Sequence, residues 1–459
     1  MRLGPETVAR LPAEVARFSY DRRDQRIGIV HFGLGAFHRA HQAWYTDRAM
    51  DAGDRDWAIC GVSLRSGAVA ERLNPQQGIY SLTERSGTAA ATRVIGAVGE
   101  VLIAPRQARA VVDRLASPDC RIVTFTVTEK GYAIGPEGRL DGEAAEASFY
   151  PLLAEGLARR MTAGLAGVTL ISCDNLAGNG RKLTALTQEY LERRDPRLAE
   201  WFADRCACPS TMVDRIVPAT SDADRDLAER RLGLRDEAAV VSERFSQWVI
   251  EDRFAGPRPG WEAHGVQLVG DAEPYETAKL RLLNGAHSAL AYLGLERGYR
   301  YVHEAIAGPA ERALVERLMR DEAATSFTPA TDQDLAAYAD ALIERFADPA
   351  VEHRLAQIAI DGSQKIPQRW LPVLAHHQRR GRACPATLRA LAAWTRHVRG
   401  DGHPVDDPLA GTLAEAWREA GERNIAAALF GPRGLFAAHW QADEEALTML
   451  SAEIARQPT

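Results

Sequence analysis

The sequence lacks three features that would place it in a specialised class of protein. Lys and Arg total 56 against 62 Asp and Glu, giving a net charge of -6, so the basic excess of a phosphate-neutralising nucleic-acid binder is missing. No run of about 18 apolar residues occurs, and we therefore expect no transmembrane helix. The first residues, 1–18, mix polar and apolar side chains and lack the continuous apolar segment of a secretory signal.

Cysteine is also sparse, with six in 459 residues. Cys60 and Cys173 lie in apolar strand-like runs, which favours buried thiols over disulfides. Cys206 and Cys208 are separated by a single residue, too close for the usual zinc spacings, and no second pair follows them. These absences together predict a soluble, cytoplasmic, globular protein with neither membrane nor nucleic-acid partners.

The chain does contain enough apolar sequence for large cores. Hydrophobic residues make up 46% of it, and a length of 459 residues suggests two or more domains. Four apolar runs are typical of strands: 26–33, 57–64, 120–129 and 167–175. Helical patterns, such as residues 36–53 and 181–194, separate these runs, and alternation of this kind predicts a parallel sheet with helices on both faces.

Two further patterns complete the fold prediction. Residues 78–98 favour an antiparallel hairpin that turns at Ser86 and Gly87. Beyond about residue 270 the pattern is almost entirely helical. The fold class is therefore α/β, with a Rossmann-type dinucleotide-binding domain over residues 1–270 and a mostly α-helical substrate-binding and catalytic domain over residues 271–459.

The stretch IVHFGLGAFHRAHQ, residues 29–42, places two glycines one residue apart directly after an apolar run. A strand that ends in this way can cradle a phosphate: Gly33 would make the tight turn, and Gly35 would let the backbone approach the anion. The third small residue of the usual fingerprint is missing, because His38 stands in its place. A single GxG pair is also compatible with an ordinary turn between a strand and a helix.

The same stretch contains three histidines, which is a residue type that commonly binds metal ions. His38 and His41 share one side of the predicted helix, but His31 lies in the strand. No carboxylate pattern completes a ligand set, so we expect no metal site.

Two other segments carry reactive polar side chains. Asp174 and Asn175 lie at the carboxyl end of a predicted parallel strand, where ligands bind in such sheets, although both residue types are also common in turns. Asp214 and Arg215 interrupt an apolar run. A purely structural ion pair would explain that second arrangement equally well.

The most informative segment is PYETAKLRLLNGAHSALAYLG, residues 274–294, which predicts one long helix with Pro274 in its first turn. At about 100° per residue, Lys279, Asn284 and His287 fall within one arc of about 140°. Such groups are costly to bury without partners. Burial shifts the pKa of a lysine toward neutrality, which suits a general base that removes an alcohol proton. A surface lysine beside a core histidine is the alternative.

Several segments together resemble the mannitol dehydrogenase family of polyol-specific long-chain dehydrogenases and reductases. That family includes mannitol 2-dehydrogenases, arabinitol dehydrogenases, and fructuronate and tagaturonate reductases. The matching segments follow the family's order and span nearly the whole chain: IVHFGLGAFHRAHQ (29–42), WAICGVSLR (57–65), SCDNLAGNG (172–180), STMVDRIVPAT (210–220), YETAKLRLLNGAHSALAYLG (275–294) and DGSQKIPQRWLP (361–372). In this family GxGxFHRAH is the normal cradle, so the resemblance makes His38 a family feature.

The resemblance implies a metal-independent, nicotinamide-linked oxidation of a secondary alcohol to a ketose. It makes Lys279 the general base and gives the amides of Asn175 and Asn284 the oxyanion contacts. It also implies that His287 hydrogen-bonds the substrate oxygen or orients the lysine.

The cofactor contacts that we expect are Gly33, Gly35, Phe37, His38, Ser63 and Arg65. In a typical NAD site an acid closes the second strand and binds the ribose hydroxyls, but residues 62–66 contain no acid. Arg65 and Ser66 are able to receive a 2′-phosphate instead. The prediction on family grounds is NAD, with NADP left open.

The candidate substrate contacts are Asp214, Lys365 and Arg369. A polyol needs only neutral hydrogen-bonding groups, whereas an aldonate needs a cation for its carboxylate. Lys365 and Arg369 could supply that cation, and they could equally be a structural or polyol-binding pair. The predicted function is interconversion of a sugar alcohol and its ketose, D-mannitol/D-fructose or D-arabinitol/D-xylulose. Hexuronate reduction, D-fructuronate/D-mannonate or tagaturonate/altronate, is the alternative. The resemblance also favours a monomer.

Two further functions stay open at the level of sequence. Tyr275 and Lys279 fit the YxxxK pair of short-chain dehydrogenases, although they lie after the nucleotide domain and the glycine spacing differs. A non-catalytic dinucleotide sensor would keep the same fold, but it would have no need of a proton-accepting lysine.

Overall fold

The structure is a computed structural model that describes residues 1–135, 137–350 and 352–456. The chain divides into two compact units, Met1–Glu273 and Pro274–Thr459. Buried apolar side chains form separate clusters within each unit. None of the helices in the described ranges is long and apolar enough to cross a membrane.

A five-stranded parallel sheet is the centre of the first unit. The strands of that unit are β1 (Ala16–Arg17), β2 (Ile27–Phe32), β3 (Ala58–Ser63), β4 (Tyr80–Ser86), β5 (Ala89–Ile95), β6 (Val98–Ile103), β7 (Ile122–Phe125), β8 (Thr169–Ser172), β9 (Thr211–Asp214), β10 (Val240–Glu243), β11 (Gln247–Glu251) and β12 (Gln267–Val269). The parallel sheet has the order β6-β3-β2-β7-β8. Its inner strands are buried on both faces, as parallel sheets require.

The four predicted strands are confirmed as β2, β3, β7 and β8, which form this parallel sheet. The fifth strand, β6, was not predicted. It lies at the edge of the sheet, where Glu100 is tolerated, so its sequence has no continuous apolar run.

The predicted hairpin is also confirmed. Strands β4 and β5 pair antiparallel and turn at Gly87, whose φ is +55°. They belong to a four-stranded sheet of order β1-β5-β4-β10, and β9, β11 and β12 form a third sheet. Neither sheet was predicted as a whole, because the partners are far apart in sequence; Leu82, for example, pairs with Val240.

The helices of the first unit are α1 (Ala36–Ala40), α2 (Gln42–Asp51), α3 (Ala68–Leu73), α4 (Ala104–Leu115), α5 (Gly142–Glu146), α6 (Tyr150–Thr162), α7 (Asn179–Glu192), α8 (Pro196–Arg205) and α9 (Asp222–Leu232). The helix predicted over 36–53 is broken at His41, whose φ of -123° and ψ of -88° are not helical. The ring of His41 accepts a hydrogen bond from the Gln42 side chain and donates one to the carbonyl oxygen of Gln247, which holds this kink.

The second unit is helical. Its helices are α10 (Glu273–Ala278), α11 (Gly285–Glu296), α12 (Val302–Ala307), α13 (Pro309–Arg317), α14 (Leu335–Phe346), α15 (Leu355–Ile358), α16 (Gly362–Arg369), α17 (Leu371–Gln378), α18 (Pro385–His397), α19 (Ala410–Phe430) and α20 (Glu444–Ala455). Two segments, Lys279–Asn284 and Leu318–Ala323, are π-helical.

The regular α-helix predicted over 275–294 is therefore wrong in its middle. The run from α10 to α11 is continuous but passes through the π-helix Lys279–Asn284. Side chains of the segment that ends α16 donate to carbonyl oxygens at the end of this π-helix: Arg369 to Asn284 at 3.2 Å, and Trp370 to Gly285 at 3.1 Å. These tertiary hydrogen bonds help to hold a backbone form that a helical pattern in the sequence does not reveal.

Candidate active site

The glycine cradle begins where β2 ends. Gly33 has a φ of +97°, and a Cβ atom there would lie 2.1 Å from the carbonyl oxygen of Thr126. The N–H of Gly33 donates to the carbonyl of Val62 at 2.9 Å, and its own carbonyl accepts from the N–H of Gly35 at 2.6 Å. Only glycine fits this tight turn without strain.

Helix α1 follows Gly35 directly. In the described parts of the chain, the backbone amides of Ala36 and Phe37 donate no hydrogen bond, as is usual in a first helical turn. A Cβ atom on Gly35 would meet nothing closer than the carbonyl oxygen of Gly33 at 3.7 Å. Open backbone amides at the carboxyl edge of a parallel sheet, where β2 lies between β3 and β7, fit the pyrophosphate of a dinucleotide.

His38 occupies the position of the missing small residue. Its ring stacks on that of His31, with 3.4 Å between the centroids and 15° between the planes, and both side chains are fully buried. Burial, together with the neighbouring His31, holds the pKa of His38 well below its usual value. A flat pair of neutral imidazoles therefore fills the helix–strand contact that a glycine or alanine makes in the common fingerprint.

The other two candidate cofactor residues lie at the end of β3. Ser63 is its last residue and is buried, whereas Arg65 is exposed. Strand β3 also stabilises the glycine turn, because the carbonyl oxygen of Val62 accepts a hydrogen bond from the N–H of Gly33.

The carboxyl ends of β7 and β8 are joined by the carboxylate of Asp174. It accepts hydrogen bonds from the backbone amides of Val127 and Thr128, both at 3.0 Å, and from the hydroxyl of Tyr132 at 2.8 Å. Burial raises its pKa and these hydrogen bonds oppose the rise. Asp174 therefore anchors the loop that follows β7. The next residue, Asn175, is exposed at this edge of the sheet.

Asp214 is the last residue of β9 and lies opposite Gln247 in the antiparallel pairing with β11. Its side chain is buried. The neighbouring Arg215 forms its ion pair with Glu84 and also donates to the carbonyl oxygen of Glu243. Arg215 thus joins three segments of the first unit, and its role is structural.

The π-helix determines how the candidate catalytic residues of the second unit are placed. Lys279 and Asn284 are its first and last residues. Because π-helical bonds join residues five apart, these two residues lie close to one face. His287, three residues further along α11, continues that face. Lys279 and His287 are each only 8% exposed.

Several positive groups surround His287. Its pKa is lowered well below the usual value, first by burial and then by His353, Arg345, Arg369 and Lys279. The ring of His353 lies 5.1 Å from that of His287, edge to face. His287 is therefore neutral at physiological pH and has one N–H to donate and one nitrogen to accept.

Arg369 and Lys365 contact the backbone around this face. The guanidinium of Arg369 donates to the carbonyl oxygen of Asn284 at 3.2 Å and to the hydroxyl of Ser288 at 2.7 Å. Burial lowers the pKa of Arg369 to about 10. The ammonium of Lys365 donates to the carbonyl oxygens of Ile358 and Ile360. The structure thus brings Arg369 to Asn284, whereas Lys365 binds the end of α15 and the residues that follow it.

Tyr275 is a poor candidate for an acid–base residue. Its hydroxyl donates to the carboxylate of Asp332 at 2.6 Å. Burial and this carboxylate raise the pKa of Tyr275 to about 12. The tyrosine of a YxxxK pair needs a lowered pKa, so this environment is opposite to what that mechanism requires.

Within the described ranges, no group of three or more His, Cys, Asp or Glu side chains could hold a metal ion. The six cysteines form no disulfide among the described residues, and burial raises the pKa of the thiols of Cys60 and Cys173.

Sequence reasoning missed several polar residues at these sites. Thr124 and Thr126 contact the ring of His31 beneath the cradle, and His353 and Arg345 influence His287. The threonines look like ordinary strand residues, and His353 lies between helices where no periodic pattern marks it. The role of these residues becomes visible only in the structure, where each lies beside a histidine that is distant in the sequence.

The fold and the cradle define a class of protein: a dinucleotide-dependent oxidoreductase with an N-terminal Rossmann domain. The mannitol dehydrogenase Rossmann domain matches residues 27–263, and the mannitol dehydrogenase C-terminal domain matches residues 271–450. The chain belongs to the mannitol dehydrogenase family. The resemblance seen in the sequence is confirmed, and with it the fold class.

Two curated relatives and one solved structure illustrate the similarity. The chain is 41% identical over 447 residues to the uncharacterized oxidoreductase YeiQ of Escherichia coli K12, covering 93% of this chain and 91% of that protein. It is 38% identical over 445 residues to the D-mannonate oxidoreductase of the same organism, covering 92% and 91%. Mannitol 2-dehydrogenase of Pseudomonas fluorescens, solved with NAD and D-mannitol, is 34% identical with a TM-score of 0.83, covering 99% and 96%.

Proposed function

We propose that the protein catalyses the NAD-linked interconversion of a sugar alcohol and its ketose, D-mannitol/D-fructose or D-arabinitol/D-xylulose. The observation that carries the proposal is the face shared by Lys279, Asn284 and His287, in a chain whose first unit is a dinucleotide-binding domain. The relative solved with NAD and D-mannitol supports the choice of cofactor and of substrate class.

The chemistry needs a proton acceptor and donors for an oxyanion. Lys279 accepts the proton of the substrate hydroxyl, while the amides of Asn284 and Asn175 donate to the oxygen as negative charge develops. The neutral His287 donates its N–H to that oxygen or orients the lysine. NAD, when bound, supplies the hydride acceptor. In the reverse direction Lys279 returns the proton to the ketose oxygen.

The remaining candidate residues take the supporting roles in this proposal. Gly33, Gly35, Phe37 and His38 form the cradle for the pyrophosphate, with Ser63 and Arg65 beside the adenosine ribose. Asp214 and Lys365 contribute to substrate binding. The exposed Arg65 is compatible with a 2′-phosphate as well, so the cofactor test includes NADP.

Hexuronate reduction is the second candidate function, and one observation favours it. Among the described residues no carboxylate forms an ion pair with the half-buried Arg369, and a cation of this kind is able to receive a substrate carboxylate. The D-mannonate oxidoreductase of E. coli is a close relative in sequence. Its substrate carries the carboxylate that a polyol lacks.

The experiment is cofactor reduction by the purified protein on mannitol, arabinitol, sorbitol, mannonate and altronate, each with NAD and with NADP. We expect turnover of a neutral polyol with NAD. Replacement of Lys279 by Ala should lower kcat at least a hundredfold, because general base catalysis contributes about 10²–10⁴-fold. Tyr275→Phe is the matched control and should keep the activity.

The outcomes separate the candidates. Turnover confined to mannonate or altronate would establish the hexuronate reductase. Loss of activity in both Tyr275→Phe and Lys279→Ala would support the YxxxK mechanism, in which the lysine lowers the pKa of the tyrosine, whereas activity that survives Tyr275→Phe but is lost in Lys279→Ala would exclude it. Cofactor binding without turnover of any of these substrates would support a dinucleotide sensor.

A further inference from the structure

A chain of hydrogen bonds runs beneath the glycine cradle, from β7 through the ring of His31 to the carbonyl of Gly33. Nδ1 of His31 lies 2.7 Å from the hydroxyl of Thr124, and Nε2 lies 3.0 Å from the hydroxyl of Thr126. The Thr126 hydroxyl in turn donates to the carbonyl oxygen of Gly33 at 2.7 Å. The parallel register of β2 and β7 places His31 directly opposite Thr124.

The direction of each bond follows from proton counting. The carbonyl of Gly33 only accepts, so the single hydroxyl proton of Thr126 points to it. Thr126 must then accept from N–H at Nε2 of His31. Burial lowers the pKa of His31 to about 3, so the ring is neutral and its Nδ1 carries no proton. Nδ1 therefore accepts from the hydroxyl of Thr124, and the whole chain has one orientation.

This chain fixes the peptide that opens the cradle. The Gly33 carbonyl accepts two hydrogen bonds, one from Thr126 and one from the N–H of Gly35. In a planar trans peptide the N–H points opposite to the C=O. With the Gly33 carbonyl held against Thr126, the N–H of Leu34 points away from Thr126, and within the described residues it donates no hydrogen bond.

The stacked ring of His38 completes the support. It lies 3.4 Å from the ring of His31 and belongs to α1, the helix that follows the cradle. The plane of His31 thus contacts the helix, while its two nitrogens contact the strand and the glycine turn. A single buried ring connects the elements on both sides of the turn.

We infer that His31 is a positioning residue for the dinucleotide: through the hydroxyls of Thr124 and Thr126 it orients the Gly33–Leu34 peptide so that an amide faces the pyrophosphate. This inference rests on the proposed function, because it assumes that the cradle binds NAD. Side chains beneath the cradle then contribute to the affinity for the cofactor by preorganising backbone donors.

The test measures the affinity for NADH by fluorescence titration in the absence of substrate. Thr126→Val keeps the side-chain shape but removes the hydroxyl, and we expect it to weaken NADH binding about tenfold, as for the loss of a buried hydrogen bond. Thr126→Ser restores the hydroxyl and should bind NADH like the wild type. Thr124→Val, one bond further from Gly33, should weaken binding by a smaller factor.

Thr83→Val is the matched control. It also removes a buried hydroxyl in the first unit, one that bonds Thr92 at 3.0 Å in the other sheet. We expect it to lower the thermal midpoint about as much as Thr124→Val while leaving NADH affinity unchanged. Should Thr126→Val not fold, the comparison of Thr124→Val with Thr83→Val decides.

If Thr126→Val and Thr124→Val bind NADH as tightly as the wild type does, the inference is overturned and the proposed function is left intact. Equal weakening in Thr83→Val would also overturn it, since the effect would then be general destabilisation. A wild-type protein that binds neither NADH nor NADPH would overturn the proposed function as well.

Discussion

Arg369 shows how much a single side chain can depend on tertiary context. From the sequence it is a cation four residues from Lys365, and a substrate carboxylate, a polyol or a structural partner would each explain it. In the structure its guanidinium bonds the carbonyl oxygen of Asn284 and the hydroxyl of Ser288. Both bonds come from Nη1, and an arginine is suited to such a bridge because this nitrogen carries two N–H donors in fixed directions within the guanidinium plane.

This geometry gives a prediction for Arg369→Lys. An ammonium is a point charge and cannot hold both acceptors in the same directions. We expect kcat for a neutral polyol to fall roughly tenfold, the cost of about one hydrogen bond, with little change in KM. Steady-state kinetics on the best polyol measure this, and Arg379→Lys, a change at an exposed arginine, is the control.

The opposite pattern would contradict this role. If Arg369 binds a substrate carboxylate, Arg369→Lys should raise KM for mannonate and leave the turnover of neutral polyols unchanged. The two results are distinguishable in one set of assays.

At the scale of the element, the π-helix Lys279–Asn284 is the decisive feature of the second unit. A regular α-helix would place Asn284 about 140° from Lys279, whereas π-helical bonding brings residues five apart toward one face. The widened helix therefore brings the proposed base and the proposed oxyanion donor toward one face. π-Helical turns occur frequently at functional sites.

Deletion of Leu280 tests the importance of the widened turn. Removing one residue from a π-helical turn allows α-helical bonding, so α11 keeps its packing while Lys279 rotates relative to Asn284. We expect at least a hundredfold loss of kcat, because small misplacements of catalytic groups cost about that much. NADH affinity should not change, since the cradle belongs to the other unit.

Leu280→Ala is the control for this deletion, because it removes a half-buried side chain and retains the backbone. It should keep most of the activity. A deletion variant that folds and turns over like Leu280→Ala would show that the π-helix is dispensable.

At the scale of the whole molecule, both units bury neutral histidines. Burial lowers the pKa of His31 to about 3 and that of His353 to about 4, and it lowers the pKa of His38 and His287 as well. In the unfolded chain these rings have a pKa of about 6.5. Below about pH 6.5 the unfolded state therefore binds more protons than the folded state, and acid favours unfolding.

Acid therefore lowers the stability of the folded protein. The stabilising contribution of each neutral histidine is complete above about pH 6.5 and is lost as the pH falls toward its folded pKa, with a slope of about 1.4 kcal/mol per pH unit. We expect the thermal midpoint to fall between about pH 6.5 and pH 4, and to fall less steeply in His353→Gln. Thermal unfolding across this range measures the effect.

The control is His439→Gln, because His439 is exposed. It should leave the slope unchanged. A His353→Gln variant with the slope of the wild type would contradict this account of acid sensitivity.

Several parts of the fold were predictable from local sequence. The runs that became β2, β3, β7 and β8 are apolar and β-branched, and a parallel sheet buries such runs on both faces. Edge strand β6 and, apart from the β4–β5 hairpin, the pairing within the two smaller sheets were not predictable. Their strands are short or partly polar, and their partners are set by contacts between residues far apart in the chain.

The sequence by itself determined the family, the sheet and the identity of the polar residues, because hydrophobic periodicity and motif spacing are local properties. Only the tertiary structure decided the orientation and the hydrogen-bond partners of these residues. The direction of the Gly33 carbonyl depends on Thr126, the face shared by Lys279 and Asn284 depends on a π-helix, and the role of Arg369 depends on Asn284. These are hydrogen bonds between segments that local spacing cannot bring together, and the energetics of a buried polar group depend on such partners.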